Sequence, residues 1–191
     1  MAPTPISQPA ATVTDTRRRD AVLESALLTF ARYGYRKTSM EQVARSARIS
    51  RPGLYFLFAS KGDLFRAAVT RALQTDLATV ERILASTDQP LSARLLESFD
   101  EWAGRYVGAL TRDISTVIES NPDLLGAITV NAPGRFQQLI TNALAAERGL
   151  EAALQIAPTL ISTSIGIKHQ VDTREDYRAH LDVAITLLVG S

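Results

Sequence analysis

Residues 39–64, SMEQVARSARISRPGLYFLFASKGDL, read as two short helices, a tight turn between them and the start of a third. Ser39 has the features of an N-cap, and Gln42, three residues on, can reach back to close a capping box. Met40, Val43, Ala44 and Ala47 then repeat at helical spacing and make one apolar face. Ser50 is a second N-cap candidate only three residues after Ala47. A helix that stops and restarts within so few residues must turn sharply, which is how a helix-turn-helix is built. The second short helix carries Leu54, Phe56, Leu57 and Phe58, with Tyr55 available to face outward. Pro52 lies at its first or second position, where the missing N–H leaves no bond unmade. Proline also biases Arg51 away from helical dihedrals, so Arg51 is an alternative cap, with the helix starting one residue later. Gly53 keeps the start of this helix bare, so a flat partner can approach the backbone. Ser60 with Asp63 marks the next N-terminus, and Leu64, Phe65 and Ala68 open its apolar face.

Working outward, the stretch Val22-Leu23-Glu24-Ser25-Ala26-Leu27-Leu28-Thr29-Phe30-Ala31-Arg32-Tyr33-Gly34-Tyr35 precedes the turn. It is followed by Thr38-Ser39, Val43-Ala44, Ala47, Ile49-Ser50, Leu54-Tyr55, Phe58, Ser60-Lys61 and Leu64. In order and spacing this series resembles the TetR family of bacterial transcriptional repressors, without gaps over roughly residues 17–68. The chain departs from the family's usual pattern at three places. Arg48 stands where the turn often has glycine, Pro52 where glycine is common, and Leu57 where histidine is common.

The resemblance implies an all-α protein: an N-terminal three-helix DNA-binding domain with a helix-turn-helix, then a helical effector-binding and dimerisation domain. The expected division is a disordered tail over 1–15, the DNA-binding domain over 16–66 and the second domain over 67–191. A tail is expected because 1–15 is rich in Pro, Ala and Thr without periodicity. Arg17-Arg18-Arg19 then stands where an arm could reach a phosphate or the minor groove; the alternative is a solvated helix face.

Composition sets the outer bounds. A chain of 191 residues, 46% of them hydrophobic, can bury a sizeable core. With no cysteine, disulfides, thiolate metal sites and cysteine nucleophiles are excluded. No apolar run looks long enough to span a membrane, and the N-terminus lacks a signal-peptide core, so a cytoplasmic protein with no membrane partner is expected. The net charge of +1 hides an asymmetry: residues 1–66 hold 11 Lys/Arg against 5 Asp/Glu, and residues 67–191 hold 10 against 15. Basic charge gathered around a helix-turn-helix suits a polyanion, because neutralised phosphates release counterions.

Helix 1 is expected from about Arg17 to Tyr33, with Gly34 as its C-cap. Helix 4 is expected from Lys61 to about Ala85, joining the two halves without a flexible linker. Beyond it the pattern stays helical: Leu91 to Leu110, Arg112 to Glu119, and a short piece from Asp123 to about Val130. Asn131-Ala132-Pro133-Gly134 reads as a turn before a helix from Phe136 to Arg148. Residues 150–170 form a long apolar helix that Pro158 should kink or divide, and Thr173 caps a last helix from Arg174 to Val189.

Only two histidines exist, His169 and His180, with no metal-ligand spacing beside them. No nucleophile-elbow, zincin, phosphate-loop or dinucleotide motif is present, so neither an enzyme nor a bound cofactor is expected. In a helix-turn-helix the second short helix enters the major groove, N-terminal end toward the base edges. Arg51 is therefore the candidate for base contact, with a guanidinium fitted to guanine O6 and N7, and phosphate as its alternative partner. Ser39 and Ser50 cap helices whose N–H groups can bind phosphate. Tyr55 and Lys61 match family positions that usually touch the DNA backbone, with packing as the alternative for Tyr55. Thr38, Pro52, Gly53 and Phe56 complete the set, Phe56 being equally readable as core.

The family pattern further implies a homodimer through the last two helices, a double-stranded operator and a small-molecule effector held by residues 91–148. Trp102 and Tyr106, four apart, can present apolar walls with polar tips to such a ligand. Asn121, Phe136, Gln137, Thr163 and His169 are further contributors. Ordinary core is the alternative for Trp102 and Tyr106. The expected function is thus a homodimeric repressor released from its operator by a small, largely apolar ligand. The alternatives are a DNA-binding regulator without an effector, and an all-helical binding protein or enzyme.

Overall fold

Side-chain caps decide where the helices begin. Ser39 Oγ accepts from the Gln42 N–H at 3.2 Å while Gln42 Oε1 accepts from the Ser39 N–H at 2.8 Å, a complete capping box. Ser50 Oγ accepts from the Gly53 N–H and Ser60 Oγ from the Asp63 N–H, each at 3.1 Å. Thr173 Oγ1 accepts from the Asp176 N–H at 3.1 Å. Each such cap satisfies a donor that the helix leaves orphaned and stabilises it by about 1 kcal/mol.

The computed structural model describes residues 13–108 and 122–190, and every regular element among them is helical. In chain order these are α1 (Val13–Tyr33), α2 (Met40–Ser46), α3 (Arg51–Leu57), α4 (Lys61–Ala85) and α5 (Leu91–Trp102). A 3-10 turn (Gly104–Tyr106) follows, then α6 (Pro122–Leu125), α7 (Ile128–Arg148), α8 (Leu150–Gln170) and α9 (Arg174–Val189). Ser50 is the cap of α3, and Arg51 is its first helical residue rather than the cap.

Two apolar cores share α4. The first joins Val22, Ala26 and Phe30 of α1, Val43 of α2, Leu54 of α3, and Leu64, Phe65 and Val69 at the start of α4. The second joins Val80 and Leu84 at the far end of α4 with Phe99, Phe136, Leu160, Tyr177, Leu181 and neighbours from α5, α7, α8 and α9. Each large side chain buried this way contributes about 1.5–3 kcal/mol. A second tie crosses between the halves: Leu125 of α6 sits in the first core, and Arg66 Nε donates to the Leu124 carbonyl at 2.6 Å.

Several boundaries differ from the sequence expectation. α1 begins at Val13, four residues before Arg17, so residues 13–15 are helix rather than tail, while 1–12 lie outside the described residues. The helix expected from Leu91 to Leu110 ends at Trp102. Past that point Arg105 Nη1 donates to Asp76 Oδ1 at 3.0 Å and the Tyr106 hydroxyl to Asp76 Oδ2 at 2.6 Å, so the chain turns toward α4. The expected helix at Arg112–Glu119 lies outside the described residues. Asn131-Ala132-Pro133-Gly134 is not a turn: α7 runs through it, because Ala132 and Phe136 are both buried on one helical face. Pro158 likewise lies inside a continuous α8, on its exposed side.

α8 also departs from the expectation that no apolar run is long enough to span a membrane. Its most apolar 18 residues reach a mean hydropathy of 1.3, and the helix is long and apolar enough by length and composition to cross a membrane. Here it packs between α7 and α9 with Ala153, Ala157, Leu160 and Ser164 buried.

Candidate nucleic-acid interface and effector cavity

α3 divides cleanly between core and solvent. Leu54 is fully buried, and Phe58, just past the helix end, anchors it from the same side. Arg51, Pro52, Tyr55 and Phe56 face out, Tyr55 at 42% exposure and Phe56 at 90%. Phe56 is therefore surface, not core. The Arg51 guanidinium lies 5.7 Å from the centre of the Tyr55 ring, one turn away, a cation–π pair that keeps both on one stripe. Gly53 has a local reason: a Cβ there would stand 3.0 Å from the capping Ser50 Oγ. The turn before α3 is closed by Arg48 in the left-handed conformation, φ 55°, a geometry that favours glycine.

Flanking groups are placed differently. Thr38 is 2% exposed, and its hydroxyl donates to the Gly34 carbonyl at 2.8 Å, so its side chain does not share the α3 surface. Lys61 Nζ donates to the carbonyls of Tyr35 at 3.0 Å and Thr38 at 3.1 Å and lies over the Tyr35 ring. It staples the α1–α2 loop to α4. Of the arginine run, Arg17 to Arg19 are exposed on α1, and Arg19 stacks its guanidinium 4.5 Å from the Phe58 ring centre.

Where the two cores meet lies a cavity of about 380 Å³. Leu27 of α1 and Val69, Ala72 and Leu73 of α4 close it toward the helix-turn-helix. Phe99, Trp102, Ala103 and Tyr106 form a second wall, and Pro133, Gly134, Phe136 and Gln137 a third. Ile161, Ser164, Ile165 and Lys168 of α8 complete it. The Trp102 and Phe136 rings stack at 4.9 Å between centres and 9° between planes, and Phe99 meets Phe136 edge-on at 5.1 Å. The lining is mainly apolar, with a few polar groups that can orient a ligand.

Two carboxylates brace this region with opposite electrostatics. Burial raises the Asp76 carboxyl above its ordinary value, against the Tyr106 hydrogen bond and the Arg105 charge, which lower it. Burial, and then the Asp76 charge, push the Tyr106 phenol up as well, so it stays a hydrogen-bond donor. For Asp100, burial is outweighed by hydrogen bonds from Arg174 and Arg178, and its carboxyl is held below the ordinary value. Arg174 reaches both Asp100 oxygens, at 2.9 and 2.8 Å, which ties α9 to α5.

The sequence model of bacterial regulatory proteins of the tetR family matches residues 22–68, the segment that builds α2, α3 and most of the first core. Over that segment the chain matches the TetR family. The HTH-type transcriptional regulator RutR of Escherichia coli K12 is 34% identical to it, over 56% of this chain and 60% of that protein. The HTH-type transcriptional repressor ComR of the same organism is 31% identical, over 42% of this chain and 39% of that protein. The chain thus matches less than two thirds of the length of these curated relatives. Among solved structures, a putative TetR-family regulator from Mesorhizobium loti superposes with a TM-score of 0.72 at 17% identity, covering 94% of this chain and 98% of that one. A putative transcriptional regulator from Saccharomonospora viridis, solved in complex with choline, gives 0.71 at 20% identity, covering 88% and 95%. These two likenesses are of fold.

Within that fold, Trp102, Tyr106, Phe136 and Gln137 line one cavity. Thr163 and His169 do not: Thr163 donates back to the Thr159 carbonyl, and His169 is exposed. Asn121 lies outside the described residues. The α8 contribution comes instead from Ile161, Ser164, Ile165 and Lys168, a stripe at helical spacing one residue out of phase with Thr163. That stripe was available in the sequence. Leu27 and Val69 were not, because nothing local shows that the first core opens onto the second.

Proposed function

We propose that this TetR-family chain is a DNA-binding transcriptional regulator, a cytoplasmic homodimeric repressor that a small, largely apolar ligand releases from its operator. The observation that carries the reading is the α3 surface: Arg51, Pro52, Tyr55 and Phe56 exposed together behind a tight, capped turn within the family-matched segment. Arg51, in the first turn of α3, bonds a base edge in the major groove. The capped N-termini of α2 and α3, at Ser39 and Ser50, take phosphates, and Tyr55 supports Arg51 while touching the backbone. Lys61 orders the loop that carries Thr38 and supplies positive field.

One such unit contacts too little DNA for selective binding, so two chains read two half-sites about one helical turn apart, ~34–36 Å. The exposed apolar residues Leu154 and Ile165 of α8 with Val183 and Leu187 of α9 favour a four-helix interface between chains. The cavity supports the release step. Its occupant would touch α1 and α4 on one side and Trp102 and Phe136 on the other, and so can bind unequally to two positions of the helix-turn-helix.

The test is binding of purified protein to the DNA upstream of its own gene, against unrelated DNA, at two salt concentrations. Preference for the first fragment, weakening steeply with salt and lost in Arg51→Ala with Tyr55→Ala, supports the reading. Trp102 is the one tryptophan of the chain, so its fluorescence reports cavity occupancy directly. Ligands that quench it should lower operator affinity; quenching with unchanged affinity would overturn the release mechanism.

A further inference from the structure

The side chains that α3 presents to solvent are unusual for a surface meant to read hydrogen-bonding base edges. Arg51 and Tyr55 carry polar tips, but Pro52 and Phe56 carry none. Pro52 and Phe56 are four residues apart, so they form a second stripe beside the Arg51–Tyr55 stripe. Phe56 is the most exposed large hydrophobic side chain among the described residues, at 90%. Leaving such a ring in water forgoes about 1.5–3 kcal/mol of burial. The exposed apolar residues of α8 and α9 lie on the other domain, so a dimer interface there leaves Phe56 uncovered. In a major groove the apolar feature of a base edge is the thymine 5-methyl group.

We propose that Phe56, with Pro52 beside it, is a specificity-determining residue that packs on the 5-methyl group of a thymine in each operator half-site. The inference rests on the DNA-binding reading above and adds a base to it. Arg51 and Phe56 are five residues apart, about 7.5 Å along the helix axis at 1.5 Å per residue. At 3.4 Å per base step, the thymine lies within about two steps of the guanine that Arg51 meets.

Deoxyuridine differs from thymidine at this edge by the methyl group alone, which makes a clean probe. Full-length protein selects its preferred duplex from a random-sequence library, and the thymines of that duplex are then replaced one at a time by deoxyuridine. One thymine per half-site should weaken binding about fourfold when its methyl is removed, the worth of one buried carbon. Phe56→Ala should bind the thymine duplex more weakly and lose this sensitivity, whereas Phe56→Leu, still apolar, should keep part of it. Circular dichroism should be unchanged in both, since the side chain is exposed. Specific binding indifferent to every thymine-to-deoxyuridine change would overturn the proposal and leave the DNA-binding reading standing. Failure to enrich any duplex would overturn the DNA-binding reading, and this proposal with it.

Discussion

Arg48 holds the turn of the helix-turn-helix in a conformation that costs an L-residue about 1–2 kcal/mol. Arg48→Gly removes that strain and should raise the stability of the chain by about 1 kcal/mol, read as an increase in Tm, because glycine gives back part of the gain as chain entropy. The two buried carboxylates make opposite predictions with pH. The folded pKa of Asp76 is raised, so its contribution to stability is fullest below about pH 4 and declines as pH rises through the folded value. Asp76→Asn should therefore gain on the parent chain in Tm as pH climbs above about 4 and through the folded value. The folded pKa of Asp100 is lowered, so its stabilisation is present above about pH 4 and is lost as pH falls through the folded value. Asp100→Asn should be most damaging near neutrality, with the two Tm curves converging as pH falls through the folded value. Parallel curves for either variant would show that the carboxylate charge is not what matters there.

The helices show which local signals prevailed over others. Side-chain caps at Ser39, Ser50, Ser60 and Thr173 were legible because each is a short-range bond between residues three apart. Prolines misled, because the preference of Pro133 and Pro158 against helix is a local cost outweighed by burial of neighbours on the same face. Ala132 and Phe136 flank Pro133, and Ala157 and Leu160 flank Pro158. The cavity was half legible for a related reason. Periodicity showed that Trp102 and Tyr106 share a side of the chain, but which stripe of α8 faces them depends on helix rotation, which tertiary packing sets. The early end of α5 was hidden entirely, since it follows from Asp76, nearly thirty positions earlier, receiving Arg105 and Tyr106. If Pro133 is a tolerated cost, Pro133→Ala restores a backbone bond to α7 and should stabilise the chain by up to about 3 kcal/mol. Because Pro133 also lines the cavity, the same variant should alter quenching of Trp102 by cavity ligands. An unchanged Tm would mean that α7 is already relaxed around the ring.

At the scale of the whole molecule, charge and apolar surface are segregated. The N-terminal third carries the basic excess and the α3 face, while the far end carries exposed Leu154, Ile165, Val183 and Leu187 on α8 and α9. Along α8, a helix apolar enough for a membrane, Leu150, Leu154 and Ile165 stay exposed and form a surface that still awaits cover. A second copy supplies it most economically, since a twofold axis sets the same surface against itself. A stable interface of this kind buries at least about 1,000 Å², and a glutamate at its centre would bury an unpaired charge. Val183→Glu with Leu187→Glu should therefore give a monomer by sedimentation, while near-native circular dichroism and Trp102 fluorescence report an intact chain. Operator affinity should fall by about 10²–10⁴, because linking two half-site contacts is worth that factor, while binding to a single half-site stays as it was. A variant that remains dimeric with full operator affinity would move the interface to another face and leave α8 and α9 to a different partner. A monomer that still binds the full operator as tightly would show that one helix-turn-helix suffices, and the two-site reading of the operator would fall.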